Sequence, residues 1–386
     1  MSFKKHFSRS LAADPDRVHF AAHSHHLWPD VSFDAHVRAW EDGARLADRK
    51  WEKVFGEIVP SLERRIAKMI GLASPSLAFA PNTHDFVRRI LSCLGPKPKI
   101  LTTSSEFHSF TRQTARLEEE HSIDIVRVPS EPLDTLSDRI ADKASKEAFD
   151  LVFVSHVLFD SSFVLDVDEI TRAVRSRDTF IVIDGYHGFC AVPTNLAALE
   201  KRVFYMAGGY KYAMSGEGCC FLHAPPDYGP RPRDTGWFAS FGTLTTTQSS
   251  VAYAEGSARF YGATFDPTAL YRMNAVLELL EKESLDASRI RAHVRPLQER
   301  FAKESPLPSD DLVVPIHDDR RGQFLTFRTP EAGKIQKRLE AANIITDARG
   351  DRLRFGFGIY HDEEDIARGI ERITRVLRER EQPTRP

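Results

Sequence analysis

Phe180-Ile-Val-Ile-Asp-Gly-Tyr-His187 and Val203-Phe-Tyr-Met-Ala-Gly-Gly-Tyr-Lys-Tyr212 decide how this chain is read. Each is an apolar run that stops at an ionisable side chain, Asp184 in the first and Lys211 in the second, 27 positions later. Strands without polar alternation belong to sheets covered on both faces. Working outward, Leu77-Ala-Phe-Ala80, Ile100-Leu-Thr-Thr103, Ile125-Val-Arg-Val128, Leu151-Val-Phe-Val154 and Cys219-Cys-Phe-Leu222 read as further strands. Helix-like stretches such as 136–148 and 167–175 separate several of them. This repeated strand–helix–strand order predicts an α/β fold with a mostly parallel seven-stranded sheet, whose ligands sit at the carboxyl ends of the strands.

Residues 48–69 carry apolar positions at a helical period, from Trp51 through Val54, Phe55, Ile58, Leu62 and Ile66 to Met69. Residues 1–47 before them read as a polar N-terminal arm. Pro225-Pro-Asp-Tyr-Gly-Pro-Arg-Pro232 breaks regular structure, and the aperiodic stretch 243–250 reads as an active-site or interface loop. Near residue 265 the rhythm changes, to helices over 268–282, 287–303, 331–342 and 363–380 and strands at 312–316, 324–327 and 353–360. We therefore expect a large domain over 48–265 and a small α+β domain over 266–386.

A chain of 386 residues with 41% hydrophobic content can bury a large core and a smaller one. With 53 basic against 55 acidic residues, the net charge is −2 and no basic block is present. Nucleic acid and anionic membrane surfaces are thus not its expected partners. The N-terminus lacks an apolar signal core, and no stretch reaches the roughly 18 apolar residues of a membrane span. Cys93, Cys190, Cys219 and Cys220 show neither metal-ligand nor disulfide spacing, which points to a reducing cytoplasm.

A lysine following a buried strand among glycines is desolvated, which makes its amine a nucleophile. A carboxylate ending the other strand needs a charged or hydrogen-bonded partner. Pyridoxal phosphate satisfies both requirements. Lysine forms a Schiff base with its aldehyde, and a carboxylate keeps the pyridine nitrogen protonated so that the ring accepts electrons. The plainer reading of Asp184 is a helix cap. His187 packs by the ring or fills a turn. Phe79-Ala-Pro-Asn-Thr-His-Asp85 offers a strand followed by a helix start, where the Thr83 hydroxyl and the first amides, including that of His84, can hold the phosphate. Asn82 or Thr83 as a simple cap is the competing reading. Phe107 or His108, after the next strand, could stack on the ring, with core packing of Phe107 as its alternative. In Asp351-Arg-Leu-Arg-Phe-Gly356, Arg354 can grip an amino-acid carboxylate in a bidentate fork. Arg352 shares its strand face, and a surface salt bridge is open to either.

The order Ser155-His-Val157, Asp184 to His187, Gly209-Tyr-Lys-Tyr212, Gly236-Trp-Phe238 and Leu353-Arg-Phe-Gly356 before Tyr360 resembles the class V branch of fold-type-I pyridoxal-phosphate enzymes, most closely the kynureninases. The resemblance runs from about Trp51 to Tyr360. It implies that Lys211 is the Schiff-base lysine and Asp184 the pyridinium partner, with His187 and Tyr210 at the cofactor. It further implies Thr83 and Trp237 near the phosphate, Phe107 on the ring face, Arg354 at the substrate carboxylate, and a homodimer with active sites at the interface. Two segments depart from it. Kynureninases carry an Asn-Ser-Leu-Gly-like segment where this chain has His23-Ser-His-His-Leu27, and an Asn-Tyr-Arg-Thr-Gly-like loop where it has Leu158-Phe-Asp-Ser-Ser162. Both lie near the substrate in that family, so the expectation is a kept cofactor machinery with an altered substrate pocket, in which His23 and His26 face the substrate. Those histidines do not match a standard metal spacing, and no metal is expected. The activity expected is hydrolytic C–C cleavage of an amino acid. The alternatives are a class V aminotransferase, another lyase or desulfurase-like enzyme, or a non-catalytic binding protein on the same fold.

Overall fold

A computed structural model describes residues 2–74, 76–226, 229–243 and 250–378. Its strands are β1 (Val18–His19), β2 (Leu77–Ala80), β3 (Lys99–Thr103), β4 (Asp124–Val128), β5 (Leu151–Ser155), β6 (Phe180–Asp184), β7 (Val203–Gly208), β8 (Cys220–His223), β9 (Phe324–Arg328), β10 (Ile344–Ile345), β11 (Asp347–Arg349) and β12 (Arg352–Gly356). Seven of them form one sheet in the order β2-β8-β7-β6-β5-β3-β4. β8 runs antiparallel to both of its neighbours, and the other six point the same way. The α/β fold with a mostly parallel seven-stranded sheet is thus confirmed. β5, β6 and β7 are buried at every position, as their unbroken apolar sequences require. Ser155 pairs with Asp184, and Asp184 with Met206. That register brings the ends of the central strands to one rim.

A larger apolar core surrounds this sheet, and a smaller one joins Phe20, Phe301, Phe327, Phe355 and Phe357. In the smaller core the rings of Phe301 and Phe355 lie 4.9 Å apart. Each such fully buried side chain stabilises the fold by about 1.5–3 kcal/mol relative to exposure. A division near residue 265 remains our proposal; of the elements beyond it, the helix Thr268–Lys282 turns Leu270, Met273, Val276 and Leu280 into the larger core.

Residues 2–47 are folded more fully than a polar arm suggests. β1 pairs in parallel with β10, Phe20 enters the smaller core, and Asp30–Leu46 forms a helix packed along Thr268–Lys282. Apolar periodicity could not reveal this helix, because it buries Ser32, Ala35 and Asp42 while Phe33, Val37 and Trp40 face outward. The helix expected over 48–69 is continuous in space but passes through a π-turn at Val54–Ile58. The strand expected at 312–316 is absent: Leu312 makes an isolated bridge to Phe327, a 3₁₀ turn occupies Ser309–Asp311, and Pro315 cannot donate to a ladder. Most of 243–250 lies outside the described residues.

Candidate active site

Beyond β7 the chain turns sharply, with Ser215 N–H donating to the Gly209 carbonyl at 2.8 Å and Met214 N–H to that of Lys211 at 2.9 Å. Gly208 is required there, since a Cβ would lie 2.4 Å from Cys220 Sγ and from the Tyr186 hydroxyl. The turn lays Lys211 back over the rim, 4% exposed. Its Nζ is 2.7 Å from His187 Nε2 and 3.1 Å from Nδ1. The rings of Phe107, Tyr186 and Tyr210 surround it at 4.9, 5.0 and 5.6 Å. Burial pushes the Lys211 amine down to about 7, with Asp184 opposing and Arg354 reinforcing. Near neutral pH a large share is therefore the free amine, the nucleophilic form.

Asp184 is buried at the end of β6, and its Oδ1 accepts the Tyr186 N–H at 2.9 Å. Burial raises its pKa, while that N–H and Lys211 lower it. Burial, then the charge of Lys211, holds the His187 imidazole well below its ordinary range, so the ring is neutral. Behind this layer lies Glu106, which accepts Thr103 Oγ1 at 2.7 Å and Ser155 Oγ at 2.6 Å. Burial pushes its carboxyl up to about 7 against those two hydroxyls.

The helix Thr83–Cys93 begins where β2 reaches the same rim, and Asn82 caps it by accepting the Asp85 N–H at 3.0 Å. The helix His108–Glu119 starts alongside, with the His84 ring 3.4 Å from the Ser109 carbonyl. Two helix N-termini thus flank one cavity of about 180 Å³, lined among others by Thr83, Ser109, Asp184, Tyr186 and Lys211. Such termini attract anions. Pyridoxal phosphate fits these residues. Asp184 is a buried carboxylate supported by a backbone N–H and the field of Lys211 rather than by an ion pair, and a protonated ring nitrogen completes it. Phe107 supplies an aromatic face, and Thr83 with the helix N-termini supplies the anion end.

Lys211, Asp184, His187, Tyr210, Thr83 and Phe107 are therefore brought together. His84 stands beside them through Ser109. Trp237 is not in this cavity: it is 42% exposed, and its indole N–H donates to Thr264 Oγ1 at 3.1 Å. Arg352 and Arg354, alike in sequence, separate in space. Arg352 pairs with Glu131 at 2.5 Å, whereas Arg354 is 3% exposed and donates to the Phe159 carbonyl and to Asp347. Phe159 in turn packs edge-on against Phe107, 5.6 Å between centroids, so the loop 158–162 touches both the cofactor face and Arg354. His23 is fully buried, stacked on Phe324 at 4.7 Å, and Phe324 also lies 5.8 Å from His187. His26 is held apart from it, with Nδ1 2.7 Å from the Leu27 carbonyl and burial lowering its pKa to about 3. Among the described residues no group of three or more His, Cys, Asp or Glu could hold a metal ion. No described helix is long and apolar enough to cross a membrane.

Sequence reading missed Tyr186, Glu106 and Asp347. Tyr186 had a signal, since it sits within Asp184-Gly-Tyr-His187. Glu106 resembled any polar residue of a loop, and Asp347 emerges only from the pairing of β11 with β12.

Fold and site together define the fold-type-I class of pyridoxal-phosphate enzymes. The Aminotransferase class-V family model matches residues 44–368, and the chain belongs to that family, whose cofactor is pyridoxal phosphate. It is similar to the kynureninase of Deinococcus radiodurans, 25% identical over 364 residues that cover 90% of this chain and 84% of that protein. Against the kynureninase of Geobacillus thermodenitrificans it is 22% identical, with 98% and 92% covered. Among solved structures, a C-DES variant with glycine linked to the PLP cofactor superposes with a TM-score of 0.78 at 18% identity, covering 97% of this chain and 99% of the other. The apo cysteine desulfurase of Thermococcus onnurineus superposes with a TM-score of 0.78 at 17% identity, covering 97% and 98%.

Proposed function

We propose that this protein cleaves a carbon–carbon bond in the side chain of an amino acid by a kynureninase-like hydrolytic reaction, with a substrate pocket of its own. The observation that carries the reading is the Lys211, Asp184 and His187 cluster at the strand ends, beside a buried Arg354. Relatives named kynureninase match most of the chain, which favours this chemistry over amino-group transfer.

Bound pyridoxal phosphate supplies the electron sink for bond cleavage. Lys211, whose amine burial pushes down to about 7 in the ligand-free protein, is the group placed to exchange a proton with the substrate α-carbon. Neutral His187, 2.7 Å away, holds that amine in position. Asp184 fixes the charge at the ring nitrogen, and Thr83 with the two helix N-termini fixes the phosphate. Arg354 orients the substrate carboxylate so that the breaking bond is aligned. Phe159 of loop 158–162 packs on Phe107 and under Arg354, and His23 stacks on Phe324 behind His187, so the two segments with sequences unlike those of kynureninases adjoin the residues of the site. The pathway of a desulfurase, through a nucleophilic cysteine, is disfavoured: Cys190, Cys219 and Cys220 are buried, and burial pushes the half-buried Cys93 thiol up to about 12. Amino-group transfer would draw on the same residues. We further propose a cytoplasmic homodimer, in which exposed Trp237 and Phe241 meet a second subunit.

Purified protein should be yellow, with a visible band bleached by borohydride and absent in Lys211→Ala. A colourless protein that cannot be reconstituted with pyridoxal phosphate would refute the cofactor assignment. Incubation with kynurenine, 3-hydroxykynurenine and an amino-acid panel then separates the reactions. Anthranilate plus alanine released from kynurenine, or alanine plus the matching carboxylic acid from another substrate, without any keto-acid acceptor supports hydrolysis, and conversion only when a keto acid is present refutes it.

A further inference from the structure

Arg354 is already occupied by a carboxylate of its own chain. In the three-stranded sheet β11-β12-β9, Asp347 lies directly across from Arg354, and Arg354 across from Thr326. Directly opposed residues project to the same face, so the three form one polar row. Their exposures are 8, 3 and 2%. Asp347 Oδ2 accepts from Arg354 Nη2, and its Oδ1 pairs with Arg349 at 2.9 Å. Around the row, buried polar atoms are left without partners among the described residues: Arg354 Nε, Thr326 Oγ1 and both ring nitrogens of His23. His23 Nε2 stands 3.9 Å from Asp347 Oδ2. Unmatched buried donors and acceptors cost stability until a ligand or water completes them. On the other side of Asp347 a cleft of about 730 Å³ opens, lined also by His25, His26, Trp28 and Arg349. Asp347 therefore stands between that cleft and Arg354.

We propose that Asp347 is a specificity-determining residue, an internal carboxylate that holds Arg354 in the free protein and competes there with the carboxylate of the substrate. The proposal rests on the reading of Arg354 as the carboxylate receptor. In the free protein Asp347 keeps a buried guanidinium paired and oriented. When a ligand carboxylate arrives, the two anions share one guanidinium and repel each other. A bare carboxylate thus binds weakly, and a substrate gains its affinity from a side chain that also fills the cleft beyond Asp347. Discrimination against short amino acids follows from one charge.

The test is calorimetric titration of the cofactor-loaded protein with propionate, which has a carboxylate and no amine, and with neutral propionamide. Asp347→Asn keeps an acceptor for Arg354 at nearly the same volume, and Asp347→Ser removes the charge by a second route. Both are expected to bind propionate at least tenfold more tightly than the wild type, with propionamide unchanged. Unchanged or weaker propionate binding in either variant, at wild-type melting temperature, overturns the proposal. Arg354→Gln is expected to abolish propionate binding whatever stands at 347. If it leaves propionate affinity intact, the carboxylate role of Arg354 itself fails, and the competition with it.

Discussion

Lys211 should make the cofactor-free protein less stable at neutral pH than at alkaline pH. Burial lowers its amine from 10.5 to about 7. Between those two values the unfolded chain holds this proton and the folded chain has released it. Because the unfolded state binds more protons there, stability rises with pH across the window, and the full penalty is present below it. One proton corresponds to roughly 1.4 kcal/mol per pH unit, so from pH 7 to pH 9 the contribution should change by about 2 kcal/mol, allowing for half-titration at the lower end. Lys211→Met replaces the amine with an apolar chain of similar length and lacks this dependence. Urea unfolding of both proteins without cofactor at pH 7, 8 and 9 reads the difference, in which titrating groups beyond the reach of the Lys211 charge cancel. The variant should be the more stable at pH 7, by several kcal/mol, and its advantage should shrink by about 2 kcal/mol at pH 9. A pH-independent difference would mean that Lys211 keeps an ordinary pKa in the folded protein, and the account of its nucleophilicity would fail.

Asp184→Asn removes the charge opposite the ring nitrogen and should weaken retention of pyridoxal phosphate by about 2–4 kcal/mol, read by equilibrium dialysis. Thr83→Val should cost about 1 kcal/mol in affinity for pyridoxal phosphate and nothing for pyridoxal, because on the proposed reading the hydroxyl serves the phosphate alone. Gly356→Ala would place a Cβ 2.2 Å from His23 Nδ1 and 2.6 Å from its backbone N. Since one of those atoms is backbone, a loss of about 3 kcal/mol or more is expected in thermal unfolding, with β12 and Arg354 displaced.

The cofactor half of the site was legible because its residues end strands or follow them within a few positions. An apolar run that stops at a charge marks a strand end, and in a parallel sheet strand ends meet at one rim, so Asp184 and Lys211 could be paired from their positions alone. Thr83 was legible for the related reason that Asn82-Thr83 begins a helix after β2. The remainder depends on long-range pairing. Arg352 and Arg354 look equivalent until Glu131, more than two hundred residues away, takes one of them. His23 and His26 look like one cluster until Phe324 stacks on the first and the Leu27 carbonyl takes the second. The helix Asp30–Leu46 escaped detection because its large apolar residues face away from the chain's own core. Leu312–Ile316 has the composition of a strand, but after Val313 N–H donates to the Thr326 carbonyl at 2.9 Å the next outward step is interrupted by Pro315, which has no N–H.

Burial lowers the proton affinity of Lys211 most, and two carboxylates and two guanidiniums then act on it in opposite directions. Asp184 and Asp347 raise it, whereas Arg354 and Arg349 lower it. The balance is therefore tied to whatever occupies Arg354. An anionic ligand that shares this guanidinium offsets part of its field and lets the lysine hold a proton more firmly. In the ligand-free protein the amine is kept partly deprotonated, as capture of the cofactor aldehyde would require; on the proposed reading, an amine whose proton affinity rises once a carboxylate is seated would be the better base toward the substrate carbon. On the proposed reading of Arg354 as the carboxylate receptor, its position on β12, across from Asp347 and close enough for its charge to act on Lys211, would link substrate recognition to the protonation of the lysine.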